Sequence, residues 1–289
     1  MPNMTRVPEP ETYAERADYV VNKLKSLGVS VAPSSRLMQM KKVLEAGYID
    51  YHDARFPIAI ESMRDMYQLQ LIVEQMASHQ ENEKFLESAQ KLLKDNSVPH
   101  NSGAHTPGRD TQFELYLAAV CLRAGMLVDY EEPDVNFVAD GTKFAIAAKR
   151  LKNIDRFEDR TKYAIRQVQE TGRPGIVALD LSLAWNPTNR PITSVLQSQL
   201  LPMISDTRNR QLFGRFQDKI ERWVNGTHVR AVLAFEFTLR VNKDNSGWIH
   251  DGWTFWFPTT AGHDNAETEL KVIQRSFLSG IPNLNNLSK

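Results

Sequence analysis

The chain has 289 residues, enough for one large domain or two modest ones, and its 42% hydrophobic and 24% charged content is that of an ordinary globular protein. Formal net charge is zero, so any affinity for nucleic acid must come from a local patch. No apolar run approaches the roughly 20 residues that span a bilayer, which excludes a helical membrane protein. The single cysteine, Cys121, excludes an intrachain disulfide and a Cys-rich zinc site. The polar, acidic start MPNMTRVPEPE carries no secretory pattern, so a cytoplasmic location and no membrane partner are expected.

Residues 10–97 read as helical. Glu11 to Leu27 is a helix ended by Gly28, and Ser34-Ser35 precede a second, Arg36 to Ala46, with Gly47 past its end. Pro57 to Ser78 carries an apolar stripe through Ile58, Ile60, Met63, Met66, Leu69 and Val73, and Asn82 to Asp95 follows. The turn formers of Asn96 to Gly108 mark a boundary, so residues 1–100 are expected as a helical domain and 101–289 as an α/β domain. Gln112 to Ala124 is the next helix. A strand ending at Ala139, an Asp140-Gly141 turn and a strand from Lys143 to Lys149 form a hairpin, because Asp-Gly between apolar runs selects a two-residue turn. A helix from Glu158 to Glu170 and a buried strand from Gly175 to Leu181 come after it. Pro191 to Ser205 and Arg210 to Asn225 read as two helices, Val229 to Val241 and Trp253 to Phe257 as strands, and Ala266 to Leu278 as a last helix.

A two-residue turn at 140–141 makes paired residue numbers sum to 281, which sets Asp134 opposite Ala147. Side chains alternate between faces, so Asp134, Asn136, Ala145, Ala147 and Lys149 share one face, and Val135, Phe137, Phe144 and Ile146 share the other as core. A carboxylate and an amine therefore stand together on a strand pair. Glu114 shares a helix face with Leu117, Ala118 and Cys121, where an unpaired carboxylate is costly. It needs a partner such as Arg109 or Arg123, or a metal.

Pro133-Asp134, Lys149 and the order helix, hairpin, helix, strand resemble the PD-(D/E)XK nuclease superfamily over residues 108–183. The resemblance implies a restriction-endonuclease-like core, a mixed β-sheet flanked by helices, behind the helical domain. It implies a metal-dependent nuclease: Asp134 and Glu114 would hold Mg²⁺ or Mn²⁺, and Lys149 would orient the attacking water. Gln167 matches a glutamine that some members place on the following helix. Nucleic acid is the implied partner, DNA in preference to RNA, and a homodimer is an open option.

One position departs from the pattern. Ala147 stands where the family has an acid, and a methyl group binds no metal. Glu132, Glu158, Asp159, or the Ala148 carbonyl with water would have to complete the shell. Otherwise the fold is a degenerate nuclease that binds nucleic acid or a protein. From Gly141 to Arg173, nine Lys and Arg face four acids. Arg150, Lys152, Arg160, Lys162 and Arg166 are the expected phosphate contacts in that segment. Outside it, His52-Asp53 and His263-Asp264 read as surface. Trp248, Trp253, Trp256, Phe255 and Phe257 read as core or interface. No glycine-rich phosphate loop is present.

Overall fold

In the computed structural model, Thr12 opens the first helix through a capping box, accepting from the Glu15 amide while Glu15 reaches back to the Thr12 N–H. The residues described are 12–47, 53–76, 82–95, 106–130, 134–188, 190–241, 248–259 and 265–282. The helices α1 (Tyr13–Ser26), α2 (Arg36–Glu45), α3 (Phe56–Gln75) and α4 (Glu83–Leu92) follow the apolar stripes read above. The next helix, α5 (Pro107–Arg123), starts at Pro107 rather than near Gln112, since a proline suits the first helical position.

Helix α3 buries polar groups as well as apolar ones. Glu61 takes Arg109 at 3.0 Å and Arg64 at 2.7 Å, while Asp65 lies 3.6 Å from Arg36 and 3.8 Å from Arg109. Gln112 donates to Gln68 at 2.7 Å and accepts from Arg36 at 2.5 Å. Each of these charges is paired, as burial requires. The network clamps the first turns of α5 onto α3. Apolar side chains then carry a single cluster from α1 to α4 through α5 into the sheet. The expected boundary near residue 100 lies outside the described residues.

The sheet contains β1 (Leu127–Asp129), β2 (Val135–Ala139), β3 (Thr142–Arg150), β4 (Gly175–Asp180), β5 (Val229–Val241) and β6 (Trp248–Pro258), side by side in chain order. β1, β2 and β3 form an antiparallel meander; β3–β4 and β4–β5 are parallel; β5–β6 is antiparallel. Helix α6 (Phe157–Glu170) makes the first parallel crossover and α8 (Val195–Val224) the second, after the short α7 (Ser182–Trp185). Helix α9 (Ala266–Gly280) closes the chain's described part. The hairpin register is the expected one, with Val135 opposite Ile146 and Ala139 opposite Thr142. Asp140 and Gly141 both take positive φ, +48° and +74°, as this tight turn requires.

Two expectations change. Residues 191–225 do not form two helices: α8 is continuous for 30 residues, with Pro202 inside it. The polar stretch 206–210 that looked like a break is held helical by the Asp206–Arg210 pair at 2.6 Å, and Arg208 is anchored to Glu236 of β5. The sheet also has core on both faces. Val135, Phe137, Phe144, Ile146 and Ala148 pack toward α5 and α9, whereas Ala147, Val177, Leu179 and Val232 pack toward α6 and α8.

Candidate functional site

Asp134 and Lys149 meet at the edge of the second face. Lys149 Nζ lies 3.0 Å from Asp134 Oδ2, and the same oxygen accepts the Ala148 amide at 2.7 Å. Lys149 Nζ also donates to the Ala148 carbonyl at 2.7 Å. The hairpin is the cause: the Asp140-Gly141 turn sets a register whose last pair is Val135–Ile146, and Asp134, one residue before β2, reaches the Ala148 amide and Lys149 of β3. They are 12% and 13% exposed, so the pair sits in a recess and remains reachable from solvent.

Helix α6 forms the rim. The Lys149 amine stands 5.7 Å from the centre of the Tyr163 ring, and the Arg166 guanidinium 5.3 Å from it. Arg160, Tyr163, Arg166 and Gln167 fall on one strip of α6 by their spacing of three and four. Gln167 is half-buried, and its Oε1 has no hydrogen-bond partner among the described residues. Deeper along the sheet, Asn136 is fully buried, donating to Asp129 at 3.2 Å and accepting from Arg173 at 3.4 Å. Tyr163 is the residue sequence reading missed. Its signal was the helical spacing to Arg160 and Arg166, which the charge count alone did not weigh.

Glu114 is half-buried on α5, the helix over the opposite face. Asp110, one turn earlier, acts electrostatically on Arg150 and Lys152 where β3 finishes. The first turns of α5 therefore lie at the Lys149 end of the sheet. The other expected contacts separate. Arg150 points away from Lys149, as alternation demands, and is paired with Asp180 at 2.9 Å. Burial alone would lower its pKa, but Asp180, Asp110 and Asp65 together raise it. Arg150 is thus half-buried like Lys149 but on the opposite side of β3, and its guanidinium is taken up by Asp180. Lys152 is half-buried, and burial lowers its pKa. Lys162 turns toward α8, 5.0 Å from the Trp223 ring. Arg160 and Arg166 are exposed, with Arg166 3.8 Å from Glu170.

Magnesium takes oxygen ligands, usually several. Ala147 is fully buried among Leu151, Phe157 and Val177 and offers none. Glu158 is committed to Lys219 at 2.6 Å and Lys162 at 3.3 Å, and Asp159 lies 3.8 Å from Arg156. The Ala148 carbonyl takes the Lys149 amine. Among the described residues no three His, Cys, Asp or Glu side chains stand together as a metal site. Apart from Asp134 and Glu114, the described acids near the recess are thus taken up by other cations. Glu132 and His52 lie outside the described residues, as do His263 and Asp264.

Of the aromatic residues of β6, Phe255 and Phe257 pack on α8: Phe213 lies 4.9 Å from Phe255 and 5.4 Å from Phe257 between ring centres. No helix among the described residues is long and apolar enough to cross a membrane. Comparison with known protein families, curated proteins and solved structures finds no match.

Proposed function

We propose that this chain is a nucleic acid-binding protein on a PD-(D/E)XK-like core, with the Asp134–Lys149 recess and the α6 rim as its binding face. The observation that carries the reading is the 3.0 Å Asp134–Lys149 pair in the order helix, antiparallel meander, helix, parallel strand. A half-buried amine beside two exposed arginines on one helix strip is a phosphate-directed arrangement, since phosphate contacts dominate nucleic-acid affinity. The buried methyl of Ala147 turns the reading from cleavage toward binding.

The second reading is metal-dependent cleavage of phosphodiesters, DNA in preference to RNA. Asp134 beside Lys149 favours it, and it requires acids from outside the described set, Glu132 first. One assay separates the two. Wild type and Lys149→Ala are incubated with plasmid and with RNA in Mg²⁺ and in Mn²⁺, and binding to labelled oligonucleotides is measured in parallel. Binding without cleavage supports the first reading. Cleavage that Lys149→Ala abolishes supports the second. Neither binding nor cleavage overturns both.

A further inference from the structure

Tyr163 is 44% exposed, the one aromatic ring among the exposed large apolar side chains of the described residues. Two cations border it, Lys149 from the recess and Arg166 from its own helix. Arg160 stands three residues earlier on the same strip and makes no ion pair among the described residues. The pattern repeats across the helix pair. Lys162 lies over Trp223, and four residues before Trp223 on α8, Lys219 lies 5.4 Å from the Phe216 ring. Cations and aromatic rings thus alternate from the recess over α6 onto α8. Of the acids beside this strip, Glu158, Asp159 and Glu170 are engaged by neighbouring Lys and Arg, while Asp155, which lines a cleft with Phe216 and Lys219, accepts from Asn153.

Alternating rings and cations suit a strand whose bases have free faces. In a duplex the base faces are stacked on one another and do not reach a side-chain ring. A single strand can lay a base on an aromatic ring while its phosphates meet the flanking cations. We infer that this surface selects single-stranded nucleic acid, with a base stacked on Tyr163 and the adjoining phosphates held by Arg160 and Arg166. The inference rests on the binding face proposed above and names the form of nucleic acid that the face takes. Stacking needs the ring and not the hydroxyl, so phenylalanine should serve in place of Tyr163.

The test uses the full chain and fluorescein-labelled oligothymidylate and oligouridylate, with a duplex of equal length, by anisotropy at fixed ionic strength. Wild type should bind the single strands more tightly than the duplex. Tyr163→Ala should lose about tenfold of single-strand affinity and much less for duplex, and Tyr163→Phe should restore it. Melting curves of the variants should match wild type, since Tyr163 is a surface residue. If wild type binds neither form, the binding face itself falls. If Arg160→Glu weakens binding while Tyr163→Ala changes single-strand and duplex affinity equally or not at all, the face stands and the stacking inference falls. Displacement of the oligothymidylate by polyglutamate at equal charge concentration would also overturn it, marking the strip as a site for acidic peptide.

Discussion

Replacing Ala147 with glutamate tests whether this position belongs to core or to a metal site. Ala147 has no exposed surface and packs with Leu151, Phe157, Val177 and Leu179. The larger side chain should cost about 1–3 kcal/mol through overpacking alone. Its carboxylate would enter a dry site on the Lys149 side of β3, near Asp134, which pushes its pKa well above the usual carboxylate range, at a cost of about 3 kcal/mol at neutral pH. Lys149 lies on the same face and offsets part of this. The sign follows from the direction of the shift. With the folded pKa above the unfolded one, the electrostatic penalty is absent below the unfolded value and complete above the folded value. The deficit against wild type should therefore widen by about 3 kcal/mol between about pH 5 and pH 8. Urea unfolding at both pH values, with and without Mg²⁺, measures it. A variant as stable as wild type, or one whose midpoint rises with Mg²⁺ alone, would refute the placement of position 147 in the core.

His250 of β6 is fully buried, stacked 4.6 Å from Tyr67, and burial with nearby Arg64 and Arg16 lowers its pKa to about 3. Because the folded value lies below the unfolded 6.5, stability is complete above about pH 6.5 and is lost as pH falls toward 3, on the order of 4 kcal/mol in all; a flat pH profile that His250→Phe leaves unchanged would contradict this. A Cβ on Gly175 would collide with the Ala145 carbonyl oxygen and touch Val168 Cγ1 at 3.0 Å, at the start of the parallel β3–β4 pairing. Gly175→Ala should cost roughly 2–4 kcal/mol in chemical denaturation. Reversing charge at Arg160 and Arg166 should lower nucleic-acid affinity and reduce the slope of log affinity against log salt by about 2, whereas an unchanged slope would remove both residues from the interface.

The hairpin was legible because two rules fix it locally: Asp-Gly selects the turn, and the turn fixes the register. That register alone put Asp134 beside Lys149. The order of elements in the α/β region was legible for the same reason, through apolar runs bounded by Gly and Pro. Long-range packing was not. Nothing local says that Ala147 is buried under α6, or that Arg150 answers to Asp180 thirty residues on. The continuity of α8 through Asp206 to Arg210 goes with a long-range contact, Arg208 to Glu236 of β5, that no local signal shows. Short elements such as β1 and α7 carry too few residues for a periodic signal. Tyr163 was visible as a letter; its place between Lys149 and Arg166 needed the approach of α6 to β3.

The most direct measurement of the central claim is the affinity of Lys149→Ala for a labelled oligonucleotide across a range of salt, beside its unfolding midpoint. The proposed binding face predicts weaker binding at low salt, a salt slope reduced by about 1, and an unfolding midpoint close to that of wild type. Affinity and slope equal to wild type, in a protein that folds normally, would contradict it.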